Sequence, residues 1–106
     1  MDPRIRLALE ILDRELDHPL LVNMISSRLG LSGSRFEHLF KLETGKGFKA
    51  RVKEARLEKA KELLLDPTRR VKEVASAVGF NFPPNFTREF TRRFGQPPSK
   101  HRIPSA

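Results

Sequence analysis

Three kinds of side chain in this 106-residue chain could do chemistry: three histidines, thirteen carboxylates and twenty-one lysines and arginines. The histidines, His18, His38 and His101, are too dispersed to make a metal ligand set, and no cysteine is present to complete one. No spacing draws a Ser, a His and an Asp together for nucleophilic catalysis, and a helical chain this small has no obvious cleft. The expectation is therefore a non-enzyme without cofactor or metal. Absence of cysteine also removes disulfides and leaves the redox compartment undetermined. What remains is cationic chemistry. A formal charge of +8 points to nucleic acid, an anionic membrane or an acidic protein as partner.

The charge is concentrated. Met1 to Ser27 holds three basic and five acidic residues, a net of −2, whereas Arg28 onward holds eighteen and eight, a net of +10. No segment approaches the roughly 20 apolar residues of a membrane span, and no signal-peptide apolar core follows Met1. Length sets a second bound: the chain is one modest domain, expected to hold no small-molecule pocket and to act in the cytoplasm.

The elements that must position these charges are helical, because apolar residues recur at i, i+3/i+4 and no two-residue alternation persists. Ile5, Ala8, Leu9, Leu12 and Leu16 predict a first helix over Pro3–Asp17, ended by His18-Pro19. His18 would then sit beside that helix's C-terminal dipole, and His101 would lie on the surface. Val22–Leu29 reads as a short helix stopped by Gly30. Ser32 would cap a third helix, Gly33 to Leu42, with Phe36, Leu39 and Phe40 inward. Gly47–Leu65 is the longest periodic run, with Phe48, Val52, Ala55, Ala60, Leu63 and Leu64 on its apolar face. It would span roughly 27 Å. Val71–Val78 is short again and closed by Gly79, and a last substantial helix runs from about Pro84 to Arg93 with Phe86, Phe90 and Phe94 inward. The expected class is all-α with about seven helices.

One architecture occurs twice. Phe36-x-x-x-Phe40-x-x-x-x-Gly45 returns as Phe86-x-x-x-Phe90-x-x-x-x-Gly95, an offset of fifty. Leu29-Gly30-Leu31 returns as Val78-Gly79-Phe80 at forty-nine, so the second copy has one extra residue in its turn. A short helix, a glycine turn and a second amphipathic helix make a helix-turn-helix. The halves are expected at about residues 3–45 and 68–102, joined by a linker helix over about 47–65. Two such motifs on one spacer suit successive major grooves, about 34 Å apart on one face of DNA.

Arg56-Leu57-Glu58-Lys59-Ala60-Lys61-Glu62-Leu63-Leu64, Val74-Ala75, Val78-Gly79-Phe80, Phe86-Thr87-Arg88-Glu89-Phe90 and Phe94-Gly95-Gln96-Pro97-Pro98 form a joint pattern. Through these residues, the stretch from about Leu20 to Arg102 resembles the DNA-binding domain of AraC-type transcriptional regulators. The resemblance implies that both recognition helices enter adjacent major grooves of promoter DNA and that the protein activates or represses transcription. It also implies RNA polymerase as a further partner. Base-facing positions would be Ser34, Glu37 and His38 in the first recognition helix and Pro84, Thr87 and Arg88 in the second. Arg35, Lys41, Arg70, Asn85 and Arg92 would lie on or near the backbone. Arg88 can pair bidentately with guanine, Thr87 can meet a thymine methyl, Glu37 can accept from cytosine N4, and His38 can donate to guanine or phosphate.

The chain departs from the family pattern at four places. Leu21 and Arg70 stand where a Ser or Thr usually caps the first helix of each motif, forgoing roughly 1 kcal/mol apiece. Ser26 replaces an Ala, and its hydroxyl is expected to bond back to its own helix. Pro83-Pro84 removes two amides, so Asn81 cannot cap a helix beginning at Phe82, and the residues before each proline are pushed from helical geometry. The second recognition helix should start late, near Pro84, and read through Thr87 and Arg88. Competing readings are a helical protein-interaction module, suggested by the prolines and Glu37, and non-specific binding to RNA or anionic membrane, suggested by charge alone.

Overall fold

The computed structural model describes residues 1–101. Arg102, where the second half was expected to end, lies outside them. Six α-helices follow in order: α1 (Pro3–Arg14), α2 (Val22–Arg28), α3 (Gly33–Thr44), α4 (Phe48–Leu63), α5 (Val71–Ala77) and α6 (Pro83–Phe94). The class is all-α, with a helix count close to that expected. The chain divides into two compact units, Met1–Ala55 and Arg56 onward, the division falling inside α4.

In the first unit, Ile5, Ala8, Ile11 and Leu12 of α1 close over Ile25, Phe36, Phe40, Phe48 and Val52. Three phenylalanine rings form its centre. Phe36 and Phe40 stand 5.7 Å apart, and Phe48 meets them edge-on at 5.2 and 5.3 Å. Each buried ring contributes about 1.5–3 kcal/mol by leaving water, and the tilted pairs add roughly 0.5–1.5 kcal/mol. Ile11, absent from the expected stripe, is buried in place of a fully buried Leu9.

The second unit repeats the device. Phe80, Phe86 and Phe90 are buried among Leu57, Ala60, Leu64, Val74, Ala75 and Val78, with Phe94 packed at the margin. Leu57 was not on the expected apolar face of the linker helix, yet it is buried. His101 departs from its expected surface place. It is half-buried, its ring 5.5 Å from that of Phe90 and 5.8 Å from that of Phe94. Contact with these two apolar rings, of which Phe94 is only partly buried, draws it in, which no local pattern signals.

Element ends differ modestly from expectation. Helix α1 stops at Arg14, not Asp17. Its last cap amide, Glu15 N, donates to Ile11 O, and a turn closed by His18 N donating to Glu15 O replaces the final helical turn. Leu16 still packs against the core from that turn, so burial does not require helix there. His18 is thus clear of the helix end. Helix α4 ends at Leu63, its exit tightened by Leu65 N to Glu62 O and Asp66 N to Leu63 O bonds.

The N-termini divide into capped and uncapped. The Asp2 carboxylate accepts from Arg4 N at 2.8 Å and opens α1. Its pKa is held below the usual carboxylate value, first by the Arg4 guanidinium and then by that amide. This cap therefore supports the fold at neutral pH, and its contribution is lost as pH falls through the depressed value. Ser32 caps α3, its hydroxyl accepting from Arg35 N at 3.2 Å. Leu21 and Arg70, at the N-caps of α2 and α5, provide no side-chain cap. Leu21 has the extended backbone of a capping residue (φ −88°, ψ 136°) and is 58% exposed. Leu21→Ser should therefore raise the unfolding free energy by about 1 kcal/mol, read from urea denaturation followed by helical circular dichroism.

Candidate nucleic-acid interface

The turn between the two helices of each copy is built identically at the backbone. Gly30, in the left-handed region at φ +71°, follows α2, and its amide donates to Ser27 O while Leu31 N donates to Ser26 O at 2.9 Å. Gly79, at φ +98°, follows α5, and its amide donates to Ser76 O while Phe80 N donates to Ala75 O at 2.8 Å. This paired pattern satisfies the last carbonyls of a helix and sends the next residue back onto the core. Leu31 and Phe80 are those residues, and both pack inward. Asn81 is the extra residue of the second copy. Ser26 is buried and its hydroxyl donates to Asn23 O at 3.2 Å, the back-bond expected from its position.

Because Phe36 and Phe40 point inward, the opposite side of α3 is displayed. Ser34, Arg35, Glu37, His38 and Lys41 are all exposed, and Ser34, Glu37, His38 and Lys41 follow i, i+3, i+4, i+7 spacing on one face. No ion pair joins Glu37 to Lys41 among the described residues. An open groove at the N-terminal end of α3 is lined by Ser34 and Glu37 together with Leu21, Asn23 and Lys49. Lys49 and Asn23 were not among the expected site residues. They come from other helices, so neither spacing nor motif within α3 could have named them. Gly33 permits this approach: a Cβ there would lie 2.9 Å from Asn23 Oδ1.

In the second unit, Pro84, Thr87, Arg88 and Arg92 are exposed on α6 and Asn85 is half-buried. Arg88 Nη2 donates to Asn85 Oδ1 at 2.7 Å, one helical turn back, which holds the guanidinium along the helix face. Arg92 Nη1 lies 3.2 Å from Oε1 of Glu89, whose side chain is 10% exposed against 70% for Arg92. The buried carboxylate holds one edge of the guanidinium, and the Arg92 side chain stays open to solvent. Arg70, at the N-cap of α5, is exposed and 3.8 Å from Glu73. The five α6 residues thus share one element and Arg70 stands apart from them at the start of α5. Helix α6 opens at Pro83, one residue before the expected start. Phe82 keeps the extended geometry (φ −121°, ψ 103°) that a following proline imposes. Pro83 enters the helix because prolines at its first two positions need donate no intrahelical bond.

The exposed faces carry hydrogen-bond donors and cations. Among the described residues no three His, Cys, Asp or Glu side chains are grouped to hold a metal ion, and no helix is long and apolar enough to cross a membrane. The glycine turn that aims α3 is directly testable. No atom lies within 4 Å of a Cβ placed on Gly30, so Gly30→Ala meets only the left-handed backbone cost. It should lower stability by roughly 1–2 kcal/mol, with Gly30→Asn losing less, as measured by urea unfolding.

Comparison with known proteins agrees with this architecture. A family model described as a helix-turn-helix domain matches residues 25–103. The Msm operon regulatory protein of Streptococcus mutans is 30% identical over 93 residues, which are 88% of this chain and 34% of that protein. The C-terminal domain of AraT, a response regulator from Geobacillus stearothermophilus, superposes with a TM-score of 0.91 at 26% identity, covering 98% of this chain and 89% of that one. The DNA-binding domain of AdpA, a global transcriptional factor solved with a target DNA, gives a TM-score of 0.85 at 26% identity, covering 96% and 91%. The chain spans between 27% and 34% of the length of the first curated relatives it matches. With two glycine-turned helix pairs and a helix-turn-helix model over most of its length, the chain belongs to the AraC-type helix-turn-helix family.

Proposed function

We propose that this chain is the sequence-specific, double-stranded DNA-binding domain of a transcription regulator, with α3 and α6 as recognition helices entering adjacent major grooves. The observation that carries the reading is the duplicated display: each copy buries a phenylalanine pair and turns a polar, cation-bearing face to solvent. Its supports are family membership and the solved complex of the similar AdpA domain with a target DNA. The function is binding rather than catalysis, and its setting is the nucleoid and cytoplasm.

In this reading Ser34, Glu37 and His38 address bases from α3, and Pro84, Thr87 and Arg88 address them from α6. Arg35, Lys41, Arg70, Asn85 and Arg92 hold or approach the phosphate backbone, which sets register without reading sequence. Asn85 also orients Arg88 toward the bases by accepting its guanidinium hydrogen bond. The halves run over about 3–45 and 68–102 with the linker over 47–65. RNA polymerase is the natural protein partner of a regulator bound at a promoter, and the regulatory signal is supplied by other parts of the system.

Selection from random-sequence DNA should yield a defined site whose footprint lies on one DNA face over two major grooves. If about six to nine phosphates are contacted, the logarithm of affinity should fall against that of salt with a slope of magnitude about 5–8. Arg88→Ala should cost about 1–3 kcal/mol and relax preference at one base step. Equal weakening on every sequence would instead place Arg88 on phosphate, and a flat selection profile would overturn the function.

A further inference from the structure

We propose that Phe82, backed by Pro83 and Pro84, reads thymine C5-methyl groups in the major groove that α6 enters. The inference rests on the DNA-binding reading above and assigns chemistry to a tip that reading leaves open.

Seven of the eight phenylalanines make ring contacts within one unit or the other. Phe82 makes none among the described residues and is 65% exposed at the N-cap of α6. The same helix end is stripped of donors. Pro83 and Pro84 have no N–H, and the next two amides, of Asn85 and Phe86, both donate to Phe82 O at 3.0 and 3.3 Å. Helix α3 is the opposite case, with a Ser32 cap, amides on Gly33 and Ser34, and the Ser34 hydroxyl. The two copies therefore meet DNA with different tips, one polar and one apolar.

In the major groove the thymine methyl is the apolar group of a base edge, and every other feature is a donor or acceptor. An apolar tip pressed on those polar edges would strip their water without replacing its hydrogen bonds. Only thymine methyls repay contact with Phe82 and Pro84. Pro84 lies three and four residues before Thr87 and Arg88, so the apolar tip continues their face. The surroundings fit a polyanion: Lys72 shares an open groove with Pro83, exposed Arg70 stands two residues before Lys72, and exposed Arg88 lies four residues after Pro84. Glu73, which also lines that groove, lies 3.8 Å from Arg70.

The test uses the duplex selected by the whole chain from random-sequence DNA, with each thymine replaced in turn by deoxyuridine, which removes the methyl and keeps both hydrogen-bonding edges. Loss of one methyl contact should weaken binding about fourfold at one or two thymines of the half-site that Arg88→Ala relaxes. Phe82→Ala should bind the thymine and uracil duplexes alike, with the same salt slope and the same helical circular dichroism as the parent. Tight binding to the selected duplex with indifference to uracil overturns this proposal and leaves the DNA-binding reading standing. A half-site without thymine, or a Phe82→Ala variant that keeps full discrimination or weakens all sequences equally, overturns it as well. Failure to select any duplex overturns both.

Discussion

Burial of a phenylalanine pair four residues apart is the constraint on which the rest of this protein depends. Phe36 and Phe40 sink into one core, Phe86 and Phe90 into the other, and none of the four is exposed. On a helix of 3.6 residues per turn, fixing that pair fixes the rotation of every other side chain. Ser34, Glu37, His38 and Lys41, and likewise Pro84, Thr87 and Arg88, face solvent because the phenylalanines do not. The glycine turns complete the constraint. They let Leu31 and Phe80 pack inward soon after the short helices end, which seats α3 and α6 on their respective cores.

The two copies share this scaffold and differ at its working end. Helix α3 begins with a hydroxyl cap and free amides, α6 with two prolines and an uncapped phenylalanine. Both forms are compatible with the fold because a helix N-terminus is a weak contributor beside a buried aromatic cluster, about 1 kcal/mol against several. The surface is thus free to diverge while the interior repeats. Charge follows the same division: the segment up to Ser27, net −2, belongs to the frame of the first unit, and the cationic excess begins at Arg28.

Much of the frame was legible in the residues. Glycines at 30, 45, 79 and 95 all adopt positive φ, and the helices before them end one or two residues earlier. The Ser32 cap, the Ser26 back-bond and the missing caps at Leu21 and Arg70 could be read from local chemistry. The misses are instructive in the same terms. Helix α1 ends three residues early, because a turn delivers Leu16 to the core as well as a helix would. Ile11 and Leu57 are buried, since a helix face next to a curved core is wider than a single stripe. His101 packs edge-on against Phe90 and tilted against Phe94, and Lys49 reaches the groove beside Ser34. Both depend on residues brought near by folding, not by spacing.

By itself, then, the sequence determined the helical class, the duplication, the turns and the identity of the outward faces. Each of these follows from periodicity or from the backbone limits of glycine and proline, which act within a few residues. Tertiary structure alone decided which side chains from separate segments converge: Asn23 and Lys49 at the mouth of α3, Lys72 beside Pro83, and His101 on the aromatic cluster. Such meetings are set by how two packed helices cross, and side-chain volumes across the whole core fix that crossing.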